Sequence, residues 1–169
     1  MKYGIVVFPS KTLQDLANSY RKRYDPHYAL IPPHLTLQEA FETDIDADKL
    51  TNIISEIAKK YEPFQLEVHK VSSFQPINNT IYFKVKMNDV LQNLHEDFQQ
   101  QLPCEESKHP FVPHVTIAQK LSNDEHSDVY GSLRMLGVEH SEVVDRFHLV
   151  YQLENGSWTV YETFRLGKD

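Results

Sequence analysis

Apolar positions recur along this chain with two periods. Strict alternation, or a short β-branched run, predicts a strand; apolar residues three and four apart predict a helix. Tyr3 to Phe8 is such a run, ended by Pro9 and Ser10. Leu13, Leu16, Ala17, Tyr20 and Tyr24 follow with helical spacing. Thr12 to Asp15 offers that helix a capping box, and Asp25-Pro26 stops it. Arg21, Lys22 and Arg23 read as its solvated end, where cations suit the helix dipole. His27 to Ile31 is a loop, and Pro32-Pro33 holds the chain extended into a strand reaching about Phe41. Asp44, Asp46 and Asp48 read as helix-start acids rather than a calcium loop, since the glycine and trailing glutamate of an EF-hand are missing. Leu50, Ile53, Ile54, Ile57, Ala58 and Tyr61 form the stripe of a second helix, which Pro63 ends. Phe64, Leu66 and Val68 then alternate with polar residues in a strand reaching about Phe74, and Gln75 to Asn79 is turn-like.

The second half repeats this order. Ile81, Phe83, Val85 and Met87 mark an amphipathic strand, and Leu91, Leu94 and Phe98 a helix starting near Asn88 or Asp89 and ended by Pro103. Cys104 to Phe111 is a polar loop into the next strand. Ser122 to Glu125 is a capping box; Val129, Leu133 and Leu136 continue its helix, and Gly137 is the expected stop. Val143 to Leu153 reads as one long strand, Asn155-Gly156 as a hairpin turn, and Trp158 to Leu166 as the returning strand. Each half thus reads strand, helix, strand, helix, strand, with one hairpin strand added at the end. The period is too long, and occurs too few times, for a solenoid. The expected architecture is a single domain, 1–169, with a duplicated bilobal α+β fold. Its lobes would be roughly 1–79 and 80–169. Two antiparallel sheets flanked by helices would pair about a pseudo-twofold axis around a central groove.

The repeat carries a motif. Pro33-His34-Leu35-Thr36-Leu37 returns 80 residues later as Pro113-His114-Val115-Thr116-Ile117 (34 to 114, 36 to 116). Side chains alternate along a strand, so His34 and Thr36 share one face and Leu35 and Leu37 the other. His114 and Thr116 repeat this against Val115 and Ile117. Two such faces across a cleft would set two imidazoles and two hydroxyls around one small anion. His-x-Thr alone is common by chance. The five-residue pattern is expected on the order of 0.001 times in a chain of this composition, so two copies carry weight.

The two His-x-Thr-hydrophobic motifs, half a chain apart, resemble those of the two-histidine (2H) phosphoesterase superfamily. The length, the order of elements and the proline before each histidine are most similar to its YjcG-like branch. Members resemble RNA 2′,3′-cyclic phosphodiesterases and RNA-ligase-like proteins. The resemblance covers nearly the whole chain. It implies motifs facing each other across a groove, with His34 as proton donor and His114 as proton acceptor.

Composition narrows the rest. The chain has 169 residues, 40% of them hydrophobic, enough for a core without staples. The single Cys104 has no internal partner and suits a cytoplasmic protein. The N-terminal apolar run is too short for a signal peptide or membrane span. A net charge of −7 argues against a broad nucleic-acid-binding surface, while leaving room for a local phosphate site. Histidine can hold either protonation state near neutral pH, so one neutral and one charged imidazole form a base and an acid together. Hydrolysis of a cyclic phosphodiester needs that pair. Thr36 and Thr116 would hold its non-bridging oxygens. The chemistry calls for no metal and no cofactor. Glu105, Glu106, His109 and His114 lie close in sequence but lack a metal-binding spacing. Nor is there a P-loop or a Gly-x-Ser-x-Gly elbow. His69, His95, His126, His140 and His148 read as surface or strand-edge residues, and Lys108 and Lys120 as solvated. His27 sits in a loop near the first motif and stays open. Tyr28, Tyr82 and Phe111 could stack on a base, with core packing the default. The expected ligand is a small phosphorylated nucleotide or RNA end. A module that binds such a ligand without turnover is the alternative, and a 2′,3′-cyclic nucleotide substrate separates the two.

Overall fold

In the computed structural model, which describes residues 1–167, the described chain forms eight strands and four helices. They are β1 (Lys2–Val7), α1 (Lys11–Tyr24), β2 (Leu35–Glu42), α2 (Ala47–Ala58), β3 (Phe64–Ser73) and β4 (Ile81–Val85). There follow α3 (Asp89–Gln101), β5 (His114–Ala118), α4 (Asn123–Leu133), β6 (His140–Val144), β7 (Arg146–Gln152) and β8 (Trp158–Arg165). The capping box at Ser122 and Glu125 forms as the sequence predicts, and Asn88 caps α3 through the Leu91 N–H. The box expected at Thr12 does not form. α1 begins two residues earlier, after Ser10, whose own N–H is taken by the Glu142 carboxylate at 3.0 and 3.1 Å. α4 likewise stops at Leu133, short of Gly137.

The strands form one antiparallel sheet in the order β6-β3-β4-β5-β2-β1-β7-β8. The two sheets expected from sequence are its two halves, joined edge to edge by a single register pair, Leu35 opposite Val115. The sequence repeats and the half-sheets do not coincide. β3, from the first repeat, pairs with β4, whereas β7, from the second, pairs with β1. This exchange depends on a break inside the predicted long strand. The run bends at Asp145, whose carbonyl accepts the Leu166 N–H at 2.9 Å. β6 then joins β3 at one end of the sheet, and β7 joins β1 in the other half.

The helices cross over in the same way: α1 packs on β5 and α3 on β2, with α2 against α3 and β8 and α4 against β3. Leu35, Leu37, Val115 and Ile117 are fully buried in the resulting core, each contributing roughly 1.5–3 kcal/mol by its burial. The motif strands are therefore pinned from behind, and their other faces line an open groove.

Candidate active site

The seam of the sheet sets the site. Opposed residues of antiparallel strands point to the same side, and Leu35 and Val115 both point into the core. Their neighbours in sequence point the other way. His34, Thr36, His114 and Thr116 accordingly line one cavity of about 290 Å³. All four residues of the repeated motif come together, all half-buried.

Each imidazole is fixed by the chain just before it. His34 Nδ1 lies 2.8 Å from the Pro32 carbonyl, and His114 Nδ1 lies 2.7 Å from the Val112 carbonyl. A carbonyl oxygen can only accept, so each Nδ1 carries the proton and donates it. Nε2 is left as the ring nitrogen available to a ligand. The intervening Pro33 and Pro113 have a fixed φ and no N–H of their own, and they restrict the preceding residue to extended backbone. That backbone presents the carbonyl to the ring.

The two rings differ in their surroundings. Phe74 and Tyr82 flank His114 at 5.0 and 5.1 Å between centroids. Burial pushes the His114 pKa down, opposed by its bond to Val112 and by the Glu39 carboxylate. His34 is pushed down to about 4, first by burial and further by the Arg21 and His114 charges, against the Pro32 carbonyl and Asp25. Both rings are therefore neutral at pH 7, each with an unprotonated Nε2.

Arg21 corrects the sequence reading of a solvated helix end. It is 2% exposed. Leu13, Ala17 and Arg21 are spaced four apart and form the buried stripe of α1, so the spacing already put Arg21 inside. Several partners hold its guanidinium. Nε donates to Asp25 at 3.1 Å, Nη1 to Asn18 at 2.7 Å and Nη2 to the Ile31 carbonyl at 2.6 Å. Asp25 also accepts from the His27 N–H at 2.8 Å and from Gln119 at 2.9 Å. Gln119 Nε2 lies 3.1 Å from His27 Nδ1. The amide must present its NH2 to a carboxylate, so His27 Nδ1 accepts and His27 Nε2 bears the hydrogen. His27, open in the sequence, lines the cavity together with Arg21, Asp25 and Gln119.

Two further histidine readings are revised. His95 and His126 are not surface residues: both are buried, His95 bonding the Leu37 carbonyl at 2.9 Å and His126 the Ser73 hydroxyl at 2.7 Å. His140 pairs with Glu142 and His148 with Thr163, while His69 is exposed. Lys108 and Lys120 are exposed and line no part of the cavity. Among the described residues no group of three or more His, Cys, Asp or Glu could hold a metal ion. Of the three candidate stacking rings, Tyr82 packs on His114, Phe111 on His95, and Tyr28 against the Arg21 guanidinium. The aromatic ring that does line the cavity is Trp158, which no motif marks.

Residues 8–156 match the profile of the 2′-5′ RNA ligase superfamily. A Bacillus pumilus protein named "Putative phosphoesterase" is 59% identical, over 100% of this chain and 99% of the relative. Among solved structures, a Thermus thermophilus protein superposes with a TM-score of 0.73 at 18% identity, covering 100% of both chains. Escherichia coli LigT complexed with 3′-AMP superposes with a TM-score of 0.67, also at 18% identity, covering 99% of this chain and 98% of LigT. At that identity the likeness shows the fold.

Proposed function

The chain belongs to the 2′-5′ RNA ligase superfamily, and from that premise we propose that it is a metal-independent phosphoesterase hydrolysing a cyclic or 2′-5′ phosphodiester of a nucleotide or RNA end. The observation that carries this is the pair of imidazoles on one cavity, each with Nδ1 tied to a carbonyl and Nε2 left for the ligand. Its relatives' name as phosphoesterases and the 3′-AMP bound by LigT support the same reading.

His114 Nε2 takes a proton from water as the water oxygen attacks phosphorus. The bond from phosphorus to the ribose oxygen breaks, and His34 Nε2–H protonates that leaving oxygen. Thr36 and Thr116 donate to the non-bridging oxygens and keep the attack in line. The product is a phosphomonoester, and exchange with solvent returns each histidine to its starting state. The roles follow the family resemblance, and the charges of the protein itself lean the other way, because Arg21 depresses His34 while Glu39 supports His114. The bound diester's own negative charge must therefore raise His34.

Incubation with a 2′,3′-cyclic nucleotide tests the proposal. Turnover is expected, and His34→Ala and His114→Ala should each reduce it by roughly 100- to 10,000-fold. Saturable binding with no product would make the protein a binding module.

A further inference from the structure

Two depressions share walls with the histidine cavity, and their charges differ. The first, of about 440 Å³, shares Gln38, Glu39 and Ala40 with it. Three carboxylates, Glu39, Glu42 and Glu105, line this depression, and among the described residues no lysine or arginine does. The second, also of about 440 Å³, shares Gln119 with the histidine cavity and runs on over the turn at 76–80 and the segment that follows β5. Lys120 is its one charged lining residue among those described. The acids that open α4, Asp124 and Glu125, line no part of it.

The second hollow is built from two turns clamped together. Asn79 is the clamp: its Nδ2 donates to the Leu121 carbonyl and to Asn123 Oδ1, both at 3.0 Å. Its own Oδ1 accepts from Gln75 Nε2 at 3.1 Å, and Asn78 Oδ1 accepts the Thr80 N–H at 3.1 Å. These bonds use the amide oxygens of Asn78 and Asn123. The two NH2 groups, the Thr80 hydroxyl and the Lys120 ammonium have no partner among the described residues. Four hydrogen-bond donors, one of them charged, thus remain around a hollow that no described carboxylate lines. Lys120 also has a φ of 59°, the left-handed region, which no other described non-glycine residue adopts. The sharp turn out of β5 is therefore made by the residue that brings the charge.

We propose that the hollow beyond Gln119 receives the backbone of an RNA strand whose phosphorylated end lies at His34 and His114, with an internal phosphodiester, 5′ of the terminal nucleotide, held by Lys120, Asn78 and Asn123. This rests on the reading that the paired imidazoles take a phosphodiester at an RNA end. A strand is a polyanion, so the depression with three carboxylates repels it and the one with a cation draws it. Thr116 and Gln119 are three residues apart, about 10 Å of extended chain. A phosphate at Thr116 therefore leaves the hollow unfilled, and a ligand that uses both sites carries a second phosphate. One cation grips the strand at one point, in keeping with a chain whose net charge is −7.

Calorimetry with strands ending in a 3′-phosphate reads the hollow without any chemistry. The adenosine trinucleotide ending in a 3′-phosphate should bind roughly 5- to 30-fold more tightly than adenosine 3′-monophosphate, the worth of one charge pair near the surface. Replacing its internal phosphodiesters by uncharged methylphosphonates should abolish that gain, and this test needs no variant. Lys120→Gly removes the ammonium, and glycine adopts the left-handed backbone without strain. It should abolish the same gain, move the mononucleotide Kd by no more than about twofold, and lower the slope of log Kd against log salt for the trinucleotide by about 0.7. A trinucleotide that binds no more tightly than the mononucleotide overturns the proposal. So does a gain that survives methylphosphonate replacement or Lys120→Gly. A Lys120-dependent gain without hydrolysis of any cyclic-ended strand refutes the catalytic reading and leaves the hollow standing. Hydrolysis with a KM indifferent to strand length and to Lys120→Gly refutes the hollow and leaves the catalysis.

Discussion

A proton donor at pH 7 must be protonated at pH 7, and the protein's own surroundings push His34 down to about 4. Three pH units above that value, about one molecule in a thousand carries the proton, a deficit of about 4 kcal/mol. Filling the groove with an anion is the perturbation that matters. A unit negative charge about 4 Å from the imidazolium, at an effective dielectric constant of about 20, contributes about 4 kcal/mol. One bound phosphodiester is thus enough to bring His34 back to about pH 7. The assay is an NMR titration of the histidine rings, free and saturated with a nonhydrolysable nucleotide monophosphate. His34 should titrate near 4 when free and close to neutral when bound. If it stays below about 5 in the complex while His114 rises to neutrality, His34 is not the donor and the roles are exchanged. Kinetics give an independent reading. His34→Ala should regain activity on a nitrophenyl diester, whose leaving oxygen needs no proton, while His114→Ala should stay impaired on it. The opposite pattern exchanges the roles; no effect of either substitution on any diester refutes the mechanism.

The remaining predictions concern pH, metal and stability. Rate should follow a bell-shaped pH profile and survive EDTA; a loss that a divalent ion restores would make the enzyme a metallophosphoesterase. Stability should fall as pH drops from about 6.5 towards 4, because the unfolded chain binds a proton that folded His34 refuses. The loss is at most roughly 3 kcal/mol, and a pH series of denaturant melts should show it shrinking in His34→Ala. Arg21→Met strands the buried Asp25 carboxylate and should cost about 3–5 kcal/mol in the same melts; a cost near zero would mean the pair is not structural.

The motif strands could be read from sequence because their chemistry is local: alternation sets the faces, and the preceding proline sets the backbone. The helices followed from their stripes for the same reason. What sequence could not show is which distant edges meet. Val143 to Leu153 is one unbroken β-favourable run, and only the pairing of β6 with β3 and β7 with β1 reveals the bend at Asp145. Arg21 was legible in principle, since it shares the spacing of Leu13 and Ala17, but its charge argued for solvent; the buried Asp25 that reverses this is visible only as a partner. His95 and His126 were misread for the same reason, their hydrogen-bond partners lying far along the chain. Trp158 reaches the histidines only through a sheet that puts the last strand beside the first.

The strand exchange also bears on how the molecule can come apart. Neither sequence repeat has a complete half-sheet of its own: residues 1–79 lack the partners of β3 and residues 80–169 lack the centre of theirs. A chain cut in the turn at Gln75 to Asn79 would therefore yield two pieces that are each open-edged and together complementary. Neither piece alone would hold both histidines, and their reassociation would restore seam and cavity in one event. Activity regained on mixing would thus count assembled molecules directly, making the protein a two-piece reporter of its own folding.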